Sequence, residues 1–216
     1  MSATQDAAVR RRPAAETVRA ALEEAILTGE LGPGTRVNAD DHARRMGVSH
    51  IPVREALRML EADGWVVHRP NQGAFVRERD LTELADLFES RVLLEGEVGV
   101  LAAQRRTPEQ LAALDAVLAR QARTEHPGRL AAVNHEFHVG LAACAHNAVL
   151  EGYVVDLNKR ARFYYLPTAT ARRDESLADH RAVLEAVLQR DGALAGDLLR
   201  RHIGRTRGDA SRALGA

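Results

Sequence analysis

Hydrophobic residues recur every three to four positions along most of the chain, which is the period of an amphipathic α-helix. Near the start, Val18, Leu22 and Ile26 share one face of a helix that Gly29 ends. Two more helices are predicted, over "NADDHARRMG" with Asn38 as N-cap and over "SHIPVREALRMLEADG". The first part of the chain is therefore expected to contain three short helices.

The third of these helices has two distinct faces. Its apolar stripe comprises Val53, Ala56, Leu57 and Leu60, and its opposite face carries Ile51, Arg54, Glu55 and Arg58. Two short β runs follow, "WVVHR" and "AFVRE", separated by "PNQG" in the manner of a hairpin. Three helices and a hairpin in fewer than 80 residues predict a winged helix-turn-helix, with the polar face of the third helix available to a DNA groove.

From Asp80 onward the pattern is helical only. Asp80 and Thr107 each begin a helix with a capping sequence, "DLTE" and "TPEQ". The predicted helices are 81–105, 108–123, 129–145, 148–166, 174–190 and 192–212. The expected fold is mainly α: a disordered arm (1–13), a winged helix-turn-helix domain (14–79) and an all-α helical bundle for ligand binding, metal binding and dimerisation (80–216).

Composition narrows the classes of protein that are compatible with this fold. The chain has 216 residues, a net charge of +0 and one cysteine, Cys144, which excludes an internal disulfide and a thiolate metal cluster within one chain. Nothing in it has the length of a membrane span or the pattern of a signal peptide, so a cytoplasmic protein with no membrane partner is expected. Because the charges cancel, DNA binding must depend on a local arrangement of positive groups.

The sequence resembles a known family over residues 14–205. The segments "GELGPGTRV" and "MGVSHIPVREALRMLEADGWVVHRPNQGAFV", followed by "FH" and two later histidines, resemble the GntR transcription regulators of the FCD subgroup, named for the FadR C-terminal domain. The resemblance implies a homodimer on a palindromic double-stranded DNA operator. It implies DNA contacts from Ser49, His50, Pro52, Arg54, Arg58, Gln72 and Gly73. His50-Ile51 replaces the usual Arg-Thr pair, so the operator sequence is expected to differ from the common one.

The stretch "NHEFH" lies in the middle of the helix predicted at 129–145. With Phe137 at the centre of the apolar face, Asn134 and His138 lie on one side of it, four positions apart. His135 projects in almost the opposite direction, towards solvent. Only Asn134 and His138 are therefore expected to face the interior of the bundle.

Two further histidines fall within apolar stripes. His180 lies among Leu177, Leu184 and Val187, and His202 among Leu194, Ala195 and Leu198. Each alone is more often a satisfied core residue, but three inward imidazoles on three helices call for a common partner. A divalent metal provides one, and Zn, Ni, Mn and Fe suit the set equally.

The resemblance leads to the same metal site. FCD domains place one Asp and three His around a metal, and the matching positions are Asn134, His138, His180 and His202. Asn134 replaces the family's Asp, and a neutral amide oxygen is a weaker ligand than a carboxylate. We therefore expect a lower metal affinity than in members that retain the Asp.

Arg91 is surrounded by apolar positions on its helix, so its guanidinium is expected to enter the bundle. A buried ion needs a partner. One interpretation is an ion pair with Glu95, four residues on; the other is that Arg91 binds the carboxylate of a small organic acid whose other oxygens reach the metal. Arg160 is a second candidate for the same effector pocket.

These sequence features suggest three functions. The first is a transcription regulator, most simply a repressor, whose operator affinity is controlled by the organic acid. The second is a regulator for which the metal itself is the signal. The third, a metal-dependent hydrolase, is disfavoured because "HEFH" lacks the spacing of HExxH and no acidic general base is marked beside the ligands. The chain is therefore not expected to be an enzyme.

Overall fold

The computed structural model describes residues 3–215, with side chains from residue 14 onward. The chain divides into two compact units, Met1–Glu78 and Arg79–Ala216, which are described separately. The disordered arm predicted at 1–13 falls on positions whose side chains lie outside the described residues, and the first helix is assigned from Ala3.

The first unit combines three helices with a small antiparallel sheet. Its elements are α1 (Ala3–Thr28), β1 (Arg36–Val37), α2 (Ala39–Met46), α3 (His50–Ala62), β2 (Val66–Arg69) and β3 (Gly73–Val76). The strand order is β1-β3-β2, with Val66 opposite Val76 and Arg36 opposite Phe75. The strand β1 was not predicted, because two residues are too few to show the alternation of a strand.

Capping and burial explain why these helices form where they do. Asn38 accepts a hydrogen bond from the Asp40 amide at the start of α2 (3.0 Å), and Gly47 ends α2 with φ 65°, a conformation that favours glycine. The predicted stripe of α3, Val53, Ala56, Leu57 and Leu60, is buried, as are Val18, Leu22 and Ile26 of α1. The opposite face of α3 is thereby held at the surface.

In the second unit, residues 79–215 form six α-helices and one short 3₁₀ turn. They are α4 (Leu81–Arg105), α5 (Pro108–Arg123), α6 (Pro127–Ala143), α7 (Ala148–Tyr165), the turn Leu166–Thr168, α8 (Arg173–Leu188) and α9 (Gly192–Ala213). Every predicted helix is present, with ends within two residues of the expected positions. Among the described residues, none of the helices is both long and apolar enough to cross a membrane.

Glycines set the separation of α4 and α9. A Cβ on Gly99 would lie 2.9 Å from backbone atoms of Ala195 and Gly196, and a Cβ on Gly196 would lie 2.8 Å from the carbonyl oxygen of Gly96. The two backbones therefore approach more closely than side chains would allow. This contact brings the helix that carries Glu95 against the helix that carries His202.

Candidate metal centre and nucleic-acid interface

The structure brings together three of the predicted histidines in the core of the second unit. His138 comes from α6, His180 from α8 and His202 from α9, and all three are at least 98% buried. Their ring centroids are 4.6–5.3 Å apart, and one nitrogen of each ring lies within 4.8 Å of one nitrogen of the other two. The helical periodicity of the sequence therefore identified the cluster.

The outer nitrogen of each imidazole is hydrogen-bonded to an oxygen of another helix. The Nδ1 contacts are His138 to Glu95 (2.5 Å), His180 to Gln121 (2.9 Å) and His202 to Asp179 (3.0 Å). Carboxylate and amide oxygens accept, so each Nδ1 carries the proton and each Nε2 keeps a lone pair. This fixes all three rings in one tautomer.

The three Nε2 lone pairs have no donor among the described residues. Nε2 of His180 lies 3.2 Å from Nε2 of His202, and Nε2 of His138 is buried without a hydrogen-bond partner in the described structure. Burial lowers the pKa of His202 to about 4, although Asp179 opposes this, and burial with nearby cationic groups lowers the pKa of His180 well below its usual value. At neutral pH the Nε2 atoms of His180 and His202 therefore face each other as two lone pairs with no proton between them.

This arrangement fits a divalent metal ion. Neutral imidazole with its other nitrogen bound to a carboxylate or carbonyl oxygen is the usual state of a metal-ligating histidine. Tetrahedral bonds of about 2.0–2.1 Å would place ligand nitrogens about 3.3 Å apart, close to the 3.2 Å between His180 and His202. Phe137 stacks on the His180 ring at 4.2 Å and fixes its orientation. His138, His180 and His202 would hold the ion.

Glu95 connects the cluster to Arg91. Its carboxylate accepts from Arg91 Nε (2.7 Å) and from Asn158 (3.0 Å) in addition to His138. Burial alone would raise the pKa of Glu95, but the charge of Arg91 and the hydrogen bonds from His138 and Arg91 outweigh it and hold the pKa far below its usual value. The carboxylate is therefore ionised and orients His138.

Arg91 enters the bundle as predicted, but its contacts are with protein groups. Nε donates to Glu95 and Nη2 donates to Asn158 at 2.8 Å. Of the two interpretations from the sequence, the structure therefore has the ion pair with Glu95. The alternative role as anchor for an effector carboxylate stays a prediction that these contacts do not favour, because Glu95 and Asn158 occupy the edge that would bind a carboxylate.

Arg160 also differs from the expectation. It lies on the surface of α7 with 39% of its side chain exposed, and its Nε is 3.5 Å from Asp156. Its side chain is therefore partly exposed and lies near a carboxylate of its own helix. The effector role of Arg160 stays a prediction.

Asn134 is buried one helical turn from His138. Its amide oxygen accepts from the Ser176 hydroxyl at 3.4 Å, on the wall of an adjoining cavity. The structure thus brings together the three histidines, whereas Asn134 bonds to a hydroxyl group.

In the first unit, the predicted contact residues of α3 are mostly at the surface. Ser49, His50, Arg54 and Arg58 are exposed. Pro52 is the exception: it is buried with Val53, because the first turn of α3 packs inward at this position. The DNA contact predicted for Pro52 stays a prediction that this burial does not favour. His50 bonds to Asp40 of α2 through Nδ1 (2.9 Å), which orients its ring.

The wing adds a residue that the sequence did not identify. Gln72 and Gly73 are exposed at the turn between β2 and β3, where Gly73 has φ 96°. A Cβ on Gly73 would lie 3.7 Å from the Arg36 guanidinium. Arg36, Arg54, Arg58 and His68 line one concave surface between α3 and the wing. This local concentration of cationic groups suits a phosphate backbone, despite a net charge of +0 for the whole chain.

Comparisons with known proteins agree with both halves of this geometry. Residues 14–76 match the family described as "Bacterial regulatory proteins, gntR family", and residues 86–205, more than half of the chain, match the FCD domain. The chain belongs to the GntR family, FCD subgroup. These families are transcriptional regulators, so this GntR-family protein is a DNA-binding transcriptional regulator and not an enzyme.

Individual relatives of this GntR-family chain support the assignment. It is 34% identical to the Nta operon transcriptional regulator of Aminobacter aminovorans over 61% of this chain and 63% of that one. It is 27% identical to the HTH-type transcriptional regulator YdhC of Bacillus subtilis over 79% of each chain. The E. coli McbR/YncC structure shares the fold, with TM-score 0.80 and 22% identity over 94% of this chain and 99% of that chain.

Sequence reasoning missed the groups that orient the histidines of this GntR-family protein. Gln121 follows Leu114 and Leu118 at helical spacing, so a polar residue in an apolar stripe was a usable signal. Asp179 gave no such signal, because it lies at the partly exposed edge of α8. Its role depends on the packing of α9 against α8.

Proposed function

We propose that this regulator is a repressor whose operator affinity is controlled by a small organic acid bound near a divalent metal, with His138, His180 and His202 as the metal ligands. The observation that carries the proposal is the convergence of three buried Nε2 lone pairs without a donor among the described residues. A metal ion held by these nitrogens would supply Lewis acidity and a positive charge that favours an anionic effector nearby.

The DNA-reading half of the proposal depends on the surface of α3 and the wing. Ser49, Arg54 and Arg58 would contact one major groove, with Gln72 and Gly73 at the adjacent backbone or minor groove. The free hydroxyl of Ser49 supports this, since it makes no capping bond to α3 in the described structure. Arg36 would add a phosphate contact beside the wing.

A homodimer on a palindromic operator is part of the same proposal. The most exposed large apolar side chains of the second unit lie on two neighbouring helices: Leu93 on α4, and Val149 and Tyr153 on α7. Exposed apolar area of this kind supports a self-association surface. Sedimentation of the purified chain at micromolar concentration is expected to give a dimer, and a monomer at that concentration would contradict it.

Control by the effector requires two dimer conformations with different affinities for the operator. An organic acid that binds one conformation more tightly shifts the population towards it. The shift is limited by the ratio of the two affinities. The effector is therefore expected to change operator affinity without changing the number of operators bound per dimer.

The proposed DNA contacts are tested with the DNA fragment upstream of the protein's own gene. Footprinting first locates the site that the protein binds in this fragment. Arg54→Ala is expected to reduce the ratio of operator to non-specific affinity by about 10–100-fold at fixed salt, because a base-contacting Arg discriminates by about 1–3 kcal/mol. Arg201→Ala, which removes an exposed charge from the second unit, is the matched control. Unchanged operator affinity in Arg54→Ala would count against this docking.

A second candidate function is a metal-responsive regulator. This function is favoured because the Nδ1 atom of each histidine already has a partner within the protein. Metal binding therefore needs no contribution from a bound acid. Operator binding measured during metal titration, with and without organic acids, separates the two. A metal response that no acid modifies would favour the metal as the signal.

A further inference from the structure

A cavity adjoins the histidine cluster at a distance of one helical turn. Among its lining residues are Asn134, Ser176 and Thr206, which lie four positions from His138, His180 and His202 respectively. Residues four apart share a helix face and are separated by about 6 Å along the axis. The cavity therefore lies beside the converging nitrogens and is partly open to solvent.

Arg172 is the charged residue buried in the wall of this cavity. It directly precedes α8, is 7% exposed, and pairs through Nη1 with Asp209 of α9. Its Nε and Nη2 have no hydrogen-bond partner in the described part of the chain. The nearest carboxylates to Nη2 are Glu175 at 3.8 Å and Asp179 at 3.9 Å, both too distant for a hydrogen bond.

Those two nitrogens form one edge of the guanidinium. Their N–H bonds are nearly parallel, a geometry that matches the two oxygens of a carboxylate. Buried donors without an acceptor destabilise the fold, so this edge is suited to a ligand that supplies the two acceptors. Arg91 has no such edge, because Glu95 and Asn158 already bind it.

We propose that Arg172, and not Arg91 or Arg160, binds the effector's carboxylate through its Nε and Nη2. This inference rests on the proposed function, since the cavity lies one helical turn from the proposed metal ligands. Arg173 also lines the cavity, but it is partly exposed and its Nε pairs with Asp174 at 2.9 Å. The remaining polar groups of the wall are uncharged, namely Gln121, Asn134, Tyr165, Thr168, Ser176 and Thr206. They suit hydroxyl or carbonyl oxygens on the rest of the ligand. The ligand class is therefore a small organic acid, with a hydroxy acid fitting the wall better than an apolar fatty acid.

Asp179 connects Arg172 to the metal ligands. One of its oxygens accepts from His202 Nδ1 at 3.0 Å and lies 3.9 Å from Arg172 Nη2. An acid bound to Arg172 would change the charge around the carboxylate that orients His202. Acid and metal are expected to strengthen each other's binding by the same factor, as thermodynamic linkage requires.

The test uses the full chain loaded with Zn²⁺ and isothermal titration with lactate, acetate and inorganic phosphate. Lactate is expected to bind more tightly than acetate, and Arg172→Lys is expected to weaken lactate at least tenfold, because Lys keeps the charge near Asp209 but loses the two-point edge. Arg172→Gln should weaken it further. Arg160→Gln, which removes an exposed charge, is the control and should bind lactate as the parent does.

The Zn²⁺ affinity of each variant without acid gives the second readout. It is expected to stay within about threefold of the parent, since Arg172 is not a ligand. Lactate affinity unchanged in a folded Arg172→Lys protein would overturn the inference and leave the metal site standing. Binding of phosphate but of neither carboxylate would overturn the ligand class.

Failure of the metal site has a different signature. If the parent protein binds no Zn²⁺, the proposed function fails at the metal, and the same titrations are made on the metal-free chain. Lactate binding there that Arg172→Lys removes would still support Arg172 as the anchor. Absence of lactate binding in both states would overturn it.

Discussion

Replacement of Glu95 by Gln tests the network that orients the metal ligands. Glu95 is 2% exposed and accepts from Arg91 at 2.7 Å, His138 at 2.5 Å and Asn158 at 3.0 Å. Glutamine has the same shape but no charge, and its NH₂ group cannot accept. The change leaves Arg91 without a counter-ion in the core, which is expected to cost about 3–5 kcal/mol in the free energy of unfolding.

The same substitution is expected to weaken metal binding. His138 would lose the acceptor that fixes its tautomer, and loss of such a partner lowers metal affinity by about 10–100-fold. Urea denaturation of the metal-free protein measures the first effect and Zn²⁺ titration the second. Glu97→Gln is the control two positions away, because Glu97 is exposed and pairs with Arg200 at the surface; its expected cost is about 0–1 kcal/mol. If the Glu95→Gln protein had the same stability and the same Zn²⁺ affinity as the Glu97→Gln protein, the proposed role of Glu95 would be refuted.

The remaining predictions concern the close contact of α4 with α9 and the buried histidine His202. Gly196→Ala, whose Cβ would lie 2.8 Å from the Gly96 carbonyl, is expected to destabilise the protein by about 1–3 kcal/mol in thermal or urea unfolding. Gly204→Ala on the same helix meets nothing within 4 Å and should stabilise by about 0.5–1 kcal/mol; equal effects of the two would contradict the close helix contact. The pKa of His202 is about 4 in the folded protein and 6.5 in the unfolded chain, so the unfolded chain binds a proton first as the pH falls. The metal-free protein should therefore lose about 3 kcal/mol of stability between pH 6.5 and pH 4. A urea midpoint that does not change with pH would contradict this. His202→Gln should flatten that dependence.

Local patterns explain which parts of the fold were predictable. The helices of the second unit were found because apolar residues repeat at helical spacing and Asp80 and Thr107 cap the first two of them. The strand β1 was missed because two residues carry no period. Pro52 was assigned to the DNA face by resemblance, whereas the packing of α3 buries it.

The candidate site divides in the same way. The inward direction of His138, His180 and His202 follows from each helix alone, so periodicity was sufficient. Their Nδ1 partners come from other helices, and no local pattern shows that Asp179 faces His202 across α8 and α9. Arg172 lies just before a helix, where periodicity gives no direction, and its unsatisfied edge exists only because the surrounding helices close over it. Arg91 was located correctly, but its partner Asn158 is 67 positions away in sequence.

The most direct test of the account is the metal stoichiometry of the full chain. Native mass spectrometry of the purified protein, followed by Zn²⁺ titration after removal of bound metal, is expected to give one metal ion per chain. His180→Ala should lower that stoichiometry towards zero, because it removes one of three converging nitrogens. A parent protein that takes up no divalent metal, or a folded His180→Ala protein that still binds one ion per chain with parental affinity, would contradict the three-histidine centre.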